Sequence, residues 1–417
     1  MTKAVRFGLI GVGGIGSYHR AAIEAREADG AARLVAVADP WVERLAAQKT
    51  ELTSRGVRWH LDYRDMLREE ADLDAVVIAT PIPFHYDMTM ACLERGVSVH
   101  LEKPPVPLIQ QLEALIAADA RQSVSVGFQF IGSRCTQMLK QLISDGKLGE
   151  VREIRAAACW PRVDKYYTRA NWPGRMMLGS APVFDGPATN ALAHLINNIM
   201  YFAGEGRDEF AIPTEVSGEL YRARPIESYD TACLRGRFGS EVEFSVAVTH
   251  ATETALPFLI EVRGAKGWGR LSNDGARLET SVGVSCDHME TTQQLLDVNY
   301  ANFIEVIQGR RDRFLTRLAD TRGYVGTTNA MLLSSDGVHD IDPGSIRRYG
   351  QDGTGGFEVV KLREAVEETL ASGQLFTEQG SPWATARPKP FRLPLCDGTP
   401  LARFCQADRS GRNGSAG

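Results

Sequence analysis

Paired cysteine, excess positive charge and long apolar runs are what this chain has least of. Its seven cysteines (Cys92, Cys135, Cys159, Cys233, Cys286, Cys396 and Cys405) are scattered, odd in number, and never at Cys-x-x-Cys spacing or beside paired histidines. That argues against a zinc site or a disulfide framework, and predicts reduced, buried thiols in a cytoplasmic protein with no metal. The net charge is −5 and the pI near 6.0, so no electrostatic footprint for nucleic acid is present. No apolar run approaches the length that spans a bilayer. The N-terminus, Met1-Thr2-Lys3-Ala4-Val5-Arg6, runs straight into a strand-like segment without the cleavage site and flanks of a signal peptide. Neither nucleic acid nor membrane is therefore an expected partner, and no internal repeat is visible.

What is present is enough chain for two cores, because 417 residues exceed one ordinary compact interior. Over the first third, short β-rich runs (5–10, 34–38, 57–60, 75–79, 97–101 and 124–128) alternate with amphipathic stretches near 18–28, 41–53, 63–69, 86–95 and 108–121. The alternation predicts an α/β fold whose first domain, residues 1–128, is a doubly wound parallel sheet of Rossmann type. Beyond 130 the pattern changes to a helix near 137–144, then longer strand-like runs at 151–159, 241–249 and 258–263 with little regular helix between them, and a late helix over 359–371. It predicts a second α/β domain, 129–380, on a large, mostly antiparallel sheet. Residues 381–417, with Arg387-Pro388-Lys389-Pro390 and a Gly/Ser-rich end at 410–417, read as an extended arm and a disordered tail.

Gly11, Gly13 and Gly16, with Gly14 and Ile15 between them, form Gly-x-Gly-x-x-Gly between the first strand and the first helix. Such glycines permit a tight turn, close approach of a pyrophosphate and close helix–strand contact. Asp39 follows the last glycine by 23 residues at the end of the second strand, where a carboxylate can accept hydrogen bonds from a ribose. Its charge would repel a 2′-phosphate and Pro40-Trp41 supplies no compensating cation, so NAD is preferred to NADP; Arg44, one turn on, keeps NADP as the minority reading. The bland alternative is a glycine-rich turn that has lost its nucleotide. Thr80, Pro81 and His85 (in Thr80-Pro81-Ile82-Pro83-Phe84-His85) and Glu102 and Lys103 (in Glu102-Lys103-Pro104) fall at the carboxyl ends of the fourth and fifth strands, where open sheets hold their ligands. Lys103 there can hydrogen-bond both a cofactor ribose and a substrate hydroxyl; taken alone it would be a surface lysine after a strand.

Together these motifs resemble the Gfo/Idh/MocA family of dehydrogenases. The likeness continues through Val126-Gly127-Phe128-Gln129 and Asp145-Gly146-Lys147-Leu148-Gly149-Glu150-Val151, covering about residues 4–200, with Glu-Lys-Pro its most specific part. It implies a Rossmann domain followed by an open-faced sheet domain, NAD-dependent oxidation or reduction of a sugar, cyclitol or similar polyol, and homodimers or homotetramers packed through the sheets. It adds Gln129 to the cofactor contacts. It also implies that Lys103 and a histidine on a later helix assist proton transfer.

The family pattern around that histidine is Asp, His four residues later, and Asp three beyond. Here His194 is kept, but Asn190 and Asn197 stand where aspartates are usual. Spacings of three and four put the three on one helical face. An amide at Asn190 can orient a hydroxyl or the imidazole but cannot take up a proton. Asp185 can substitute from the preceding loop, or simply cap a turn; without the resemblance His194 would read as a core histidine. The segment 160–172 concentrates aromatics and cations in a loop suited to a sugar's faces and hydroxyl edges, with Tyr167, Arg169 and Trp172 favoured, although core or subunit contact fits as well. Two rival functions remain at this level: a glycosidase or lyase using transient oxidation of a sugar ring carbon, and a non-catalytic NAD and sugar sensor.

Overall fold

The computed structural model describes residues 3–394, apart from 240 and 352, and residue 401. The expected tail at 410–417 lies outside the described residues, as do Cys396 and Cys405. Cys92, Cys135, Cys159 and Cys233 are buried free thiols and Cys286 is partly buried. Among the described residues no helix is long and apolar enough to cross a membrane. The chain divides into two compact units, the first comprising Met1–Val106, Gln111–Ser133 and Glu290–Thr321, the second Pro107–Gln110, Arg134–Met289 and Arg322–Gly417.

The first unit carries six strands: β1 (Val5–Ile10), β2 (Ala32–Ala38), β3 (Arg58–His60), β4 (Ala75–Ile78), β5 (Ser98–Leu101) and β6 (Val124–Val126). All pair in parallel, in the order β3-β2-β1-β4-β5-β6. Parallel strands are covered on both faces, which is why Ala75-Val76-Val77-Ile78 is apolar at every position and wholly buried. Strand order reverses between β1 and β4, and at such a switch point the carboxyl ends of the strands open a crevice for ligand. The glycine turn and Thr80 stand at that edge, with Lys103 and Gln129 following β5 and β6 at the same edge.

The division by sequence at residue 128 needs one correction. The helix Thr292–Ile307, left within the second domain by the sequence reading, belongs to the first unit. Its Leu296, Tyr300, Phe303 and Ile304 pack in one core with Phe7, Leu9 and Val77. The ring centroids of Tyr300 and Phe303 each lie 6.0 Å from that of Phe7. Each such side chain, fully buried, contributes about 1.5–3 kcal/mol.

In the second unit, β7 (Val151–Cys159) is followed by a small hairpin, β8 (Met177–Leu178) with β9 (Ala181–Pro182). Then come β10 (Glu215–Arg222), β11 (Thr231–Phe238), β12 (Val242–Thr249), β13 (Leu256–Gly264), β14 (Trp268–Ser272), β15 (Arg277–Thr280), β16 (Cys286–Asp287) and β17 (His339–Asp340). Apart from that hairpin they form a large sheet, ordered β16-β15-β14-β13-β7-β12-β11-β10-β17. Only the β7–β12 and β10–β17 pairings within it are parallel, so the mostly antiparallel expectation holds. β18 (Ile346–Tyr349) and β19 (Gly356–Val359) make a separate hairpin.

The helix expected over 359–371 begins later, at Leu362, because β19 runs to Val359 and Lys361 takes a positive φ of 63°. Ala193–Ala203 is the helix expected around His194, beginning after Asn190, whereas Arg322–Ser335 is a helix the sequence pattern did not mark. The arm expected to begin at 381 is partly built into this unit. Trp383 sits in a core with Tyr221 and Phe376, and β20 (Phe391–Arg392) pairs with β10.

Candidate active site

The glycine turn has two kinds of glycine. Gly11, at φ +86°, has Ala79 O only 2.6 Å from where a Cβ would stand, and a Cβ at Gly16 would collide with the Gly11 carbonyl. These two let the turn fold against β4. Gly13 and Gly14 instead face free space, with Leu45 at 3.7 Å from one and nothing within 4 Å of the other, so the loop is open where a phosphate would approach. The helix that follows, Gly16–Ala28, has no acidic residue in its first turn, and its positive end remains available to an anion. Ile15 leads into that helix and is partly exposed.

Asp39 is buried. One carboxylate oxygen accepts from Val12 N at 2.9 Å and the other from Trp41 N at 2.9 Å. It therefore ties the glycine loop to the end of β2, and each oxygen keeps a further lone pair for a ribose hydroxyl. Arg44 stacks on the exposed Trp41 ring at 5.7 Å. Thr80 and Pro81 are half-buried after β4, and Gln129 after β6 has a buried amide oxygen without a partner among the described residues. An open glycine cradle, an uncompensated helix end, a carboxylate at the tip of β2 and an orphaned amide oxygen fit a dinucleotide.

Two residues expected to touch the cofactor do something else. His85 is buried, with Nε2 2.8 Å from Thr80 O and Nδ1 3.0 Å from Pro104 O. Burial pushes its pKa down, and a neutral ring carries one N–H, so it donates to one carbonyl at a time and braces the Thr80 turn beside the Glu-Lys-Pro turn. Glu102 is turned into the interior. Its carboxylate meets His19 Nε2 at 3.1 Å, and His19 Nδ1 meets Tyr300 OH at 2.9 Å. His19 donates to Glu102 from Nε2, while the Tyr300 hydroxyl donates to Nδ1 of a neutral ring and accepts from it in a protonated one. Burial works against the carboxylate, but the hydrogen bond and charge of His19, with Lys103 adding, hold its pKa down at about 2. His100, beside His19 and Tyr300, is buried without a hydrogen-bond partner on either nitrogen among the described residues, and burial takes it down to about 3. Sequence reasoning missed His19 and Tyr300; a histidine on a helix face otherwise made of Ala22 and Ile23 was the available signal. Lys103, next to this cluster, is half-buried.

In the second unit, Asn190 and His194 do not share one helical face as the spacing predicted. Residues Pro187–Ala191 form a π-type turn, and the α-helix begins at Ala193, so the register breaks between them. Asn190 instead donates from Nδ2 to Asp185 Oδ1 at 2.7 Å, while Asp185 Oδ2 accepts from Gly174 N at 2.7 Å. The carboxylate that meets Asn190 thus comes from the preceding loop. Asn197 is fully buried.

The aromatic loop also rearranges. Tyr167 stacks against Arg224 at 4.8 Å with its hydroxyl enclosed, and burial raises its pKa above the ordinary phenol range, so it faces inward rather than toward a substrate. Tyr166, passed over in the sequence, holds the central position. The Arg169 guanidinium lies 4.0 Å from its ring and that of Arg162 lies 4.9 Å from it, and Arg169 also reaches Trp172 at 5.2 Å. The spacing of 162, 166 and 169, one turn apart each, was the overlooked signal.

Family models match in two consecutive stretches. Residues 5–130 match the NAD-binding Rossmann-fold model of the GFO/IDH/MocA oxidoreductases, and residues 136–270 match the GFO/IDH/MocA C-terminal domain. The chain belongs to the GFO/IDH/MocA family. Inositol 2-dehydrogenase of Rhizobium meliloti (strain 1021) is 27% identical over 285 residues, spanning 64% of this chain and 81% of that enzyme. Inositol 2-dehydrogenase 4 of Saccharopolyspora erythraea is 36% identical over 151 residues, spanning 35% of this chain and 43% of the relative's own length. The WlbA dehydrogenase of Bordetella pertussis, solved with NADH and UDP-GlcNAcA, superposes with a TM-score of 0.65 at 24% identity, over 79% of this chain and 95% of that one. The fold and the NAD-binding character of this family member follow from these matches.

Proposed function

We propose that this family member is an NAD-dependent dehydrogenase acting on a secondary hydroxyl of a sugar, cyclitol or sugar derivative. The observation that carries the reading is the Glu-Lys-Pro turn at the carboxyl edge of β5, in a domain whose glycine turn is open to a dinucleotide. The relatives named as inositol 2-dehydrogenases support the substrate class. NAD, when bound, supplies the hydride acceptor.

The remaining work falls to the chain. His194 removes the hydroxyl proton as the carbon–hydrogen bond breaks, and Lys103 hydrogen-bonds the oxygen on which negative charge develops. Asn190, held by Asp185, orients the substrate hydroxyl, and Asp185 supplies the carboxylate charge that an amide at 190 lacks. Asp39 accepts from the ribose and disfavours a 2′-phosphate.

The test mixes the protein with NAD and a panel of free sugars, cyclitols and glycosides, following absorbance of the reduced cofactor and substrate fate by mass spectrometry. Accumulating NADH with a product lighter by two hydrogens is expected. Cleavage without net NADH would replace this reading with transient oxidation, and binding without any chemistry would replace it with a sensor.

A further inference from the structure

The loop 160–172 holds more cation than the fold uses. Arg224 and Arg348 both point at Asp164, so two guanidiniums share one carboxylate. Arg162 and Arg169 form no ion pair among the described residues. They flank Tyr166, which is half-buried. One edge of the Arg162 guanidinium, Nε, is buried without a hydrogen-bond partner among the described residues. A chain with net charge −5 has therefore gathered a cluster of guanidiniums at one place.

Two neighbours report the same field. His250 is buried beside Arg162 and Arg224; burial first, then those two charges, bring its pKa down to about 3. Asp230, a buried acid beside Arg224, is pushed by its own burial up to about 6; still mostly ionised near neutral pH, it answers Arg224 rather than Arg162 or Arg169.

The cations also share a field with Asp185. The Tyr166 phenol feels the charges of Arg162, Arg169 and Asp185 together, and Asp185 is the carboxylate that holds Asn190 four residues before His194. Unpaired guanidiniums stacked on an aromatic ring are pre-organised for the planar, two-oxygen edge of a carboxylate or phosphate.

We propose that Arg162 and Arg169 form an anion subsite, and that the natural substrate is a polyol bearing a negatively charged group, a sugar acid or a sugar phosphate. The inference rests on the dehydrogenase reading for the identity of the ligand as substrate. The subsite itself is a binding property and can be measured apart from turnover.

The test titrates D-glucuronate, D-glucose 6-phosphate, D-glucose and myo-inositol into the full chain in the presence of NADH, by calorimetry, and repeats each with NAD while following NADH formation. Tighter binding of at least one anion than of the neutral compounds is expected, with D-glucuronate or the phosphate ester identifying which anionic group is held. Arg169→Gln should raise the Kd of that anion about tenfold or more and leave NADH affinity unchanged. Arg162→Gln should do the same, and Arg169→Lys should recover part of the loss. Because Arg169 is exposed, its variants report on binding even if Arg162→Gln folds poorly.

Failure of both anions to bind, or binding equal to the neutral sugars and unmoved by Arg169→Gln, overturns the subsite. NADH formed from neutral polyols with no effect of Arg169→Gln leaves the dehydrogenase standing and removes the subsite. Anion binding lost in Arg169→Gln, with no NADH from any compound, keeps the subsite and removes the dehydrogenase.

Discussion

Around Glu102 the acid and its partners are buried and answered: the carboxylate by His19, and His19 by Tyr300. Around Tyr166 two guanidiniums, those of Arg162 and Arg169, have no carboxylate to meet among the described residues. Both clusters mix charged and aromatic side chains, yet they differ in what is left over. A buried polar group whose partners are all internal holds a backbone in place, here the turn that carries Lys103. A cation left open beside Asp185 and Asn190 is available to a ligand. Satisfaction inside the chain, rather than residue type, separates scaffold from site in this protein.

The account can be broken most visibly at His194, a buried residue of the helix Ala193–Ala203. Replacement by Ala should depress hydride transfer about 10²–10⁴-fold while sparing NAD affinity, checked by initial rates and by cofactor titration. Near-normal turnover would return His194 to a core histidine. On the closed side, Glu102→Ala leaves His19 buried without its acceptor and should cost on the order of 3 kcal/mol in chemical denaturation. A loss under 1 kcal/mol would show that the Glu102–His19–Tyr300 chain does not brace the turn.

His100 sharpens the same point through pH. Its pKa is about 3 folded against 6.5 ordinarily, so below pH 6.5 the unfolded chain takes up a proton that the folded chain refuses, and stability falls as pH drops from 6.5 toward 3. Between pH 7.5 and 5 that loss is about 2 kcal/mol for His100 alone. Glu102 contributes its own loss only below its ordinary 4.5, outside this interval. His100→Phe, against Tyr300 and Phe303, should remove that part of the slope in denaturation curves at the two pH values; an unchanged slope would contradict the buried neutral ring.

Much of the first unit was legible because its signals are local. The β1–turn–helix segment forms as its pattern predicts, Asp39 and the Glu-Lys-Pro turn stand at the strand ends expected of them, and the strands fell within about two residues of expectation. What escaped was tertiary. The helix Thr292–Ile307 announces itself by a Thr291/Gln294 capping box and apolar residues three and four apart, but nothing local says that it docks on β1. Arg322–Ser335 contains Gly323, Gly326, Thr327 and Thr328 and is buried almost all round, so neither propensity nor an amphipathic stripe marks it. At the site, Tyr167 was preferred to Tyr166 because sequence cannot tell which of two adjacent rings turns inward. The Asn190–His194 spacing misled because a π-type turn breaks the helix between them.

Smaller effects complete the contrast. Asp39→Ala should weaken NAD about tenfold and NADP less, measured as the ratio of the two dissociation constants; an unchanged ratio would remove its part in cofactor choice. Arg169→Ala should move stability by no more than about 1 kcal/mol, since an exposed stack on Tyr166 is worth little to the fold. A thermal shift implying several times that would make Arg169 part of the scaffold and erase the difference between the two clusters.

The central claim is hydride transfer from a carbinol carbon, and its most direct measurement is isotopic. A polyol from the panel, deuterated at its carbinol carbons, is incubated with the protein and NAD, and the mass of the reduced cofactor is read. The account predicts NADH one mass unit heavy, with the label lost from one carbon of the product; unlabelled cofactor alongside a cleaved or unchanged polyol would contradict it.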